Sequence, residues 1–280
     1  MIRKAYVDIA DGQVHYRYSK SGVGPPLVFF HMTASSSESY APLLHLLEGK
    51  MPLIAFDTPN YGESFRTTKT PTVEYIAACM LEALSNLGKE RFHTFGHHTG
   101  VSIQSEMAVQ APDRVLSTIM NGPTFSAPAE MENFREMLAW DNPPDTKGTH
   151  VMRAWARIRN NMNLSYFTTP PHAAEIMTRD FVDMMRAGEK WCWGYRAVFT
   201  HDLIDRMHRQ TAPMMFICGG QDVSYPLHLR AREAFPDTPW FEHPDGGVYY
   251  VETNPEDFVG PITNFIRAQN ASIETVEQAV

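Results

Sequence analysis

The first twenty residues alternate between apolar and polar side chains. Residues 6–9 and 14–18 follow a period of two, and Asp11-Gly12 stands between them. This alternation is typical of a half-buried strand, and Asp-Gly is a favoured turn between antiparallel strands. We therefore predict that the chain begins with a β-hairpin.

Beyond residue 25 the pattern changes to short apolar runs separated by longer helical stretches. The runs, which suit buried parallel strands, are residues 27–30, 52–56, 92–95 and 115–120. Helical spacing occupies 41–47, 73–87 and 100–110 between them. This rhythm predicts a mostly parallel, twisted sheet flanked by helices, with the ligand site at the carboxyl ends of the strands.

The strand signal disappears between about residues 124 and 210. This segment is rich in Met, Trp and Arg at helical spacing. The strand-helix pattern then returns with 213–218, a helix from about 227, a strand at 240–242 and a closing helix over 255–268. We predict a core formed by residues 1–123 and 211–280, with a helical cap inserted over 124–210.

Composition restricts the class of protein. With 280 residues, 43% of them hydrophobic, the chain is long enough to bury one large core. A net charge of −8 and the lack of a basic stripe argue against nucleic-acid binding, which needs clustered Lys and Arg. The expected partner is a small-molecule substrate, bound by a monomer or a homodimer.

Cysteine content and hydropathy indicate where the protein works. The three cysteines, Cys79, Cys192 and Cys218, are far apart and form no C-x-x-C pair, so neither a disulfide framework nor a zinc-thiolate site is indicated. No apolar run reaches the ~18 residues of a membrane span, and the N-terminus lacks a signal-peptide pattern. We expect a cytoplasmic protein that does not bind membranes.

Four local motifs follow one another along the predicted core. They are His31-Met32, residues 57–64 (DTPNYGES), residues 96–100 (GHHTG) and residues 111–115 (APDRV). Together they resemble the α/β-hydrolase superfamily, particularly capped members such as epoxide hydrolases, haloalkane dehalogenases and carbon-carbon bond hydrolases. The resemblance covers nearly the whole chain except the cap, and it implies an α/β-hydrolase fold.

The resemblance identifies residues 96–100 as the nucleophile elbow. A strand there turns sharply into a helix, so small residues flank a central side chain that projects into the pocket. Gly96 and Gly100 meet this demand, but the central residue is His98. The family carries a serine there for acyl transfer, or an aspartate for epoxides and alkyl halides, and neither nucleophile is present.

The resemblance also indicates the other two triad positions. The acid is Asp222, in a G-x-x-D turn, whereas Val248 stands where the family has its histidine. His243 comes too early to replace it. The His98 imidazole is long enough to enter the vacated volume and hydrogen-bond Asp222, so we predict a His98-Asp222 dyad acting as general base. Alternatively, His98 is a buried polar residue in a receptor without catalytic activity.

Further site residues follow from the resemblance and from the cap. The backbone N–H groups of Met32 and Thr99 are the expected oxyanion hole. The candidate substrate-binding residues are His31, His97, Trp193, Phe199 and Val248, with the first two expected mainly as hydrogen-bonded scaffold.

We expect no metal site, no cofactor and no arginine that binds a substrate carboxylate. Side chains leaving an elbow point in different directions, so His31, His97 and His98 do not indicate a metal site. No cofactor motif is present. Arg153, Arg157 and Arg159 are expected to form a solvated helix face rather than a carboxylate clamp.

These residues predict an atypical hydrolase for a small hydrophobic or aromatic carbonyl compound. The leading substrates are an ester, a lactone or a carbon-carbon bonded ketone. A lyase, a decarboxylase or a cofactor-independent oxygenase would use the same base, and the receptor stays open as the non-enzymatic alternative.

Overall fold

One sheet organises the chain, and the computed structural model describes residues 1–278 of it. Within these residues the sheet has eight strands in the order β1-β2-β4-β3-β5-β6-β7-β8. The strands are β1 (Arg3–Ile9), β2 (Gly12–Ser19), β3 (Leu27–Phe30), β4 (Leu53–Phe56), β5 (Phe92–His97), β6 (Val115–Asn121), β7 (Met214–Gly219) and β8 (Trp240–His243). The β1-β2 and β2-β4 pairs are antiparallel and the rest are parallel, which confirms the predicted hairpin and mostly parallel sheet.

Helices connect the strands and cover both faces of the sheet. They are α1 (Ala41–Leu47), α2 (Val73–Asn86), α3 (Thr99–Gln110), α4 (Pro128–Leu138), α5 (Thr149–Ser165), α6 (Ala173–Ala187), α7 (Trp193–Val198), α8 (Leu203–Arg209), α9 (Tyr225–Ala234), α10 (Tyr250–Thr253) and α11 (Glu256–Gln278). The short α10 was not predicted, and α11 continues beyond the predicted end at residue 268. None of the helices within residues 1–278 has the length and apolar character of a membrane span.

Burial on both faces explains why the core strands read as continuous apolar runs. Along β3, Val28 and Phe30 face a cluster formed with α2 and α3. Leu27 and Phe29 face the opposite cluster, formed with α1 and α11. All four side chains are fully buried. A parallel strand covered on both sides has no polar face, so its sequence loses the period of two seen in the hairpin.

Helices α4 to α8 all lie between β6 and β7. They fall inside the 124–210 segment, and we call them the α4–α8 insertion. The division of the chain into a core and a cap stays a prediction.

A largely buried arginine joins this insertion to the rest of the protein. Arg179, on α6, donates hydrogen bonds to Ser35 Oγ at 2.6 Å and to Asp183 Oδ2 at 3.1 Å. It also binds Asp180 Oδ1 at 3.1 Å and both carboxylate oxygens of Glu252, on α10. The guanidinium therefore ties α6 to the loop after β3 and to α10.

Three carboxylates share this single guanidinium. Burial raises the pKa of Glu252 to about 7, and repulsion from Asp180 and Asp183 adds to the effect of burial although Arg179 opposes it. The pKa of Asp183 is also raised, again mainly by burial. Because the folded-state pKa of Glu252 lies above its ordinary value, its contribution to stability is complete below pH ~4.5 and is lost as the pH rises through about 7.

Glu252→Gln should remove this pH dependence, because the amide oxygen still accepts a hydrogen bond from Arg179 but the side chain carries no charge. As the pH rises from ~5 to ~8, the free energy of unfolding of the wild type should fall relative to that of the variant by up to about 3 kcal/mol. Denaturant titrations across this range measure the difference. Glu63→Gln, which alters an exposed ion pair with Arg186, is the control. Parallel curves for wild type and Glu252→Gln would contradict the prediction.

Candidate active site

The chain passes from β5 into α3 through a tight turn centred on His98. His98 has φ 46° and ψ −103°, a backbone conformation that is strained for any residue other than glycine. A Cβ on Gly96 would lie 2.4 Å from the Gly100 backbone, and one on Gly100 would lie 1.9 Å from Phe30 O. Both flanking glycines are therefore required by close packing, as the elbow motif predicts.

The His98 imidazole meets Asp222, which follows β7. His98 Nε2 lies 3.1 Å from both carboxylate oxygens of Asp222. The Ser224 backbone N–H and hydroxyl each donate to Asp222 Oδ1 at 2.7 Å, and Ser224 Oγ also lies 3.2 Å from His98 Nε2. Burial alone would raise the pKa of Asp222. The attraction and hydrogen bond of His98, with the Ser224 N–H, outweigh burial and hold that pKa well below its usual range.

This arrangement assigns the proton on the imidazole. An ionised carboxylate only accepts hydrogen bonds, so Nε2 carries the proton that it donates to Asp222. In the neutral imidazole the lone pair is then on Nδ1, which makes no hydrogen bond within residues 1–278. The side chain is 14% exposed and lines a cavity. A neutral imidazole held in this way is suited to accept a proton.

The cavity beside His98 has a volume of about 90 Å³. This is far below the ~300 to 1,000 Å³ of pockets for drug-sized ligands, so it suits a molecule of a few non-hydrogen atoms. The lining is Met32, Thr33, Ala34, His98, Leu138, Arg157, Ile158, Asn161, Asp180, Met184, Trp191, Tyr195, Val223 and Val248. A larger cleft of about 950 Å³ lies beside β1, β2 and α6, and His98 is not among its lining residues.

Several predicted site residues meet at this cavity. Met32 and Val248 line it together with His98. Thr99 is the first residue of α3, where backbone N–H groups have no helical acceptor. Its hydroxyl lies 2.9 Å from that of Thr33 and accepts a hydrogen bond from the Thr33 N–H at 3.2 Å. The oxyanion-hole role of Met32 and Thr99 stays a prediction.

The two neighbouring histidines do not line the cavity. His31 is buried, and its Nε2 accepts a hydrogen bond from the Thr58 N–H at 3.0 Å while its Nδ1 contacts Met32 O at 2.9 Å. His97 is also buried, and its Nε2 has no partner among the described residues. Burial lowers the pKa of both imidazoles, that of His97 strongly. Their place is therefore in the scaffold behind the site.

The predicted aromatic contacts also lie elsewhere. Trp193 packs in an apolar cluster formed mostly by residues 124–210, with the Lys190 ammonium 4.5 Å from its ring centroid. Phe199 stacks on Tyr195, with centroids 5.6 Å apart. Among the aromatic residues that the structure describes, Trp191 and Tyr195 line the cavity, whereas Trp193 and Phe199 do not. Helical spacing predicts an aromatic face but does not tell which ring on it meets the site.

Gly122 was not predicted as a site residue, although it makes room for His98. It follows β6 with φ +64°, and a Cβ there would lie 2.6 Å from His98 Cδ2 and Nε2 and 2.8 Å from Ser224 Oγ. A glycine directly after a core strand is the signal that could have found it. Ser224 carries a similar signal, because a serine two residues after an aspartate is well placed to bind its carboxylate.

One set of side chains could hold a metal ion. A ligand atom from each of His97, His98 and Asp222 lies within 4.8 Å of the others, and two imidazoles with a carboxylate suit a divalent transition metal. The expectation that these side chains diverge is therefore wrong for His97, whose ring centroid is 4.5 Å from that of His98. Binding an ion through His98 Nε2 would replace its hydrogen bond to Asp222.

A second convergent set is Glu74, Glu106 and His201. Arg206 already binds Glu106 through Nε at 2.5 Å, and His201 Nε2 lies 3.1 Å from the same carboxylate oxygen. In the structure, Glu106 and His201 therefore belong to a network of ion pairs and hydrogen bonds with Arg206.

The sheet order, the elbow turn and the acid after β7 define an α/β-hydrolase-type protein. A family model described as alpha/beta hydrolase fold matches residues 25–231. The chain belongs to this family.

Named relatives are more distant. 2-(Acetamidomethylene)succinate hydrolase of Mesorhizobium japonicum is 23% identical to the chain over 94% of each protein. The crystal structure of E-2-(acetamidomethylene)succinate hydrolase has a TM-score of 0.72 and 21% identity, and the match covers 95% of this chain and 100% of that one. At this identity the structural likeness shows the fold alone.

Other relatives match over shorter lengths. Fluoroacetate dehalogenase of a Burkholderia species is 28% identical over 48% of this chain and 46% of the dehalogenase. The chain spans less than half the length of this relative. Hydrolase names among the relatives, together with family membership, support the prediction that the chain is a hydrolase-type enzyme.

Gly122→Ala should displace the His98 ring. Gly88→Ala is the matched control, because Gly88 has φ +66° and a methyl group added there would meet nothing within 4 Å. Both variants should lose ~1 kcal/mol from backbone strain, and Gly122→Ala should lose a further ~1 to 3 kcal/mol from overpacking. Chemical denaturation measures the stabilities, and the imidazole NMR signals of His98 report the displacement. Equal destabilisation with unchanged His98 signals would contradict this prediction.

Proposed function

We propose that the protein is a hydrolase in which His98 acts as the general base. One observation carries this proposal: Asp222 holds Nε2 of His98, while Nδ1 is free on a side chain that lines a cavity. A base needs an acceptor atom within reach of the substrate and a partner that stabilises the cation it becomes. His98 and Asp222 meet both requirements.

The proposed reaction needs no covalent enzyme intermediate. Nδ1 of His98 accepts a proton from water, and the resulting hydroxide attacks the substrate carbonyl carbon. The Met32 and Thr99 amides stabilise the oxyanion, while Asp222 stabilises the imidazolium. Collapse of the tetrahedral intermediate breaks the bond to the leaving group, which takes the proton back from Nδ1. Val248 supplies no second base, so direct attack by His98 would leave no group to deacylate it.

The cavity supports a small carbonyl substrate. Met32, Trp191 and Val248 give it apolar walls, which suit the hydrophobic part of an ester, a lactone or a carbon-carbon bonded ketone. We propose that the α4–α8 insertion serves as the cap that closes this cavity. The three cysteines are free and buried, which supports work in a reducing cytoplasm.

His98→Ala tests the proposal on a panel of small esters, lactones and β-diketones. For whichever compound of the panel is a substrate, removing the general base should lower kcat/KM on the order of 10²-fold or more. Asp222→Asn should have the same effect, because the imidazolium then loses its anionic partner. His98→Ser should not restore turnover, because no histidine follows β8 to activate the serine. Initial rates followed by NMR give the comparison.

His243→Ala is the control, because this half-exposed side chain pairs loosely with Asp257 and is absent from the described cavity lining. Unchanged turnover by His98→Ala would remove the base role. If the wild type bound compounds of the panel without turning over any of them, the receptor alternative would be favoured.

A chelator separates proton transfer from metal chemistry at the same residues. Turnover through the His98-Asp222 hydrogen bond should withstand 1,10-phenanthroline, because Nε2 carries a proton. Loss of turnover that added Zn²⁺ restores would instead point to an ion bound by His97, His98 and Asp222. Rates before and after dialysis against the chelator are the measurement.

A further inference from the structure

Arg157 brings a positive charge to the wall of the cavity that His98 lines. It lies on α5, it is half-buried, and it belongs to the cavity lining. Its guanidinium carbon lies 4.6 Å from the Trp191 ring centroid and 5.4 Å from that of Tyr195. Two aromatic faces therefore hold the cation in place and leave it less hydrated than on an open surface.

This guanidinium has unused hydrogen-bonding capacity. An arginine offers five N–H donors, and within residues 1–278 Arg157 makes one hydrogen bond, from Nη2 to Tyr195 Oη at 3.0 Å. No carboxylate of the described residues lies within 4.0 Å of it. The expectation of a solvated helix face is wrong for Arg157, although it holds for Arg153 and Arg159, which are exposed.

The acidic residue that lines the same cavity already has hydrogen-bond partners on both carboxylate oxygens. Asp180 also lines the cavity, but its Oδ1 accepts a hydrogen bond from Arg179 at 3.1 Å and its Oδ2 accepts one from the Tyr249 hydroxyl at 2.8 Å. Both Asp180 oxygens are therefore engaged, although Asp180 shares the Arg179 charge with Asp183 and Glu252. Since no described carboxylate pairs with Arg157, its remaining N–H donors are open to a ligand.

A hydrogen-bonded chain fixes the guanidinium relative to the expected oxyanion hole. Arg157 donates to Tyr195 Oη, and the Tyr195 hydroxyl donates to Thr33 O at 3.1 Å. Thr33 follows Met32 directly. Asn161, one helical turn beyond Arg157 on α5, lines the same cavity and adds an amide donor. A ligand in this cavity therefore has the Arg157 cation, the Asn161 amide and the His98 imidazole among its neighbours.

We infer that Arg157, assisted by Asn161, binds a carboxylate group of the substrate. The substrate class is then a small carboxylic acid whose carbonyl, in an ester, lactone or ketone, reaches His98. The reaction of this substrate at His98 rests on the proposed function, whereas the binding of its carboxylate by Arg157 does not. A planar fork of N–H donors matches a carboxylate, and the cavity of about 90 Å³ admits a short acid.

Propionate and propionamide test the inference, because they have nearly the same shape and differ in charge. Isothermal titration calorimetry at low salt should show propionate binding to the wild type about 10- to 100-fold more tightly than propionamide, as for hydrogen bonds to a charged group. Arg157→Gln should abolish that preference and leave propionamide binding unchanged. Arg153→Gln, which removes a cation stacked on Trp140 from the same helix, should keep it.

Arg157→Lys covers the case in which the glutamine variant does not fold. It keeps the charge but loses the planar fork, so propionate binding should weaken several-fold while propionamide binding stays constant. No preference for propionate in the wild type, or a preference that survives in Arg157→Gln, would overturn the inference. His98→Ala should keep the preference whether or not it loses turnover, so failure of the base mechanism is seen separately from failure of carboxylate binding.

Discussion

The tight turn at His98 is the constraint on which the site depends. The turn, with its positive φ, brings the imidazole beside Gly122, while Gly96 and Gly100 let the strand, the turn and α3 pack without steric overlap. The energy stored in that conformation has to be supplied by the surrounding core, because β5 lies at the centre of the sheet between β3 and β6. Gly122, directly after β6, provides the space into which the ring projects.

Placing a histidine on this turn changes the chemistry of the site. A histidine after β8 would use one nitrogen for the acid and the other for a serine on the elbow. Here the imidazole stands on the elbow itself and reaches Asp222 through Nε2, so under the proposed function its other nitrogen is the one that meets the substrate. Val248 lines the same cavity with an apolar side chain. The two departures from the family pattern are therefore compatible with a single working arrangement.

Two arginines connect the α4–α8 insertion to the loop after β3. Arg179 binds Ser35, while Arg157 reaches Thr33 through Tyr195. A charge taken out of water is costly unless its partners satisfy it, and Arg179 is satisfied by three carboxylates. Burial, with repulsion from Asp180 and Asp183, raises the pKa of Glu252 to about 7, so one of the three takes up a proton near neutral pH. Because both connections end beside Met32, the packing of the insertion and the geometry expected to stabilise an oxyanion are physically coupled.

The sequence by itself determined the hairpin, the parallel strands, the elbow and the candidates Asp222 and Val248. These features depend on local periodicity, turn residues and motifs, which are written in consecutive positions. Tertiary structure decided that Trp191 and Tyr195, rather than Trp193 and Phe199, line the cavity, that Gly122 makes room for His98, and that Arg157 lines the same cavity as His98. Helical spacing fixes which side chains share a face, but which of them meets residues far away in the chain depends on how the helices pack.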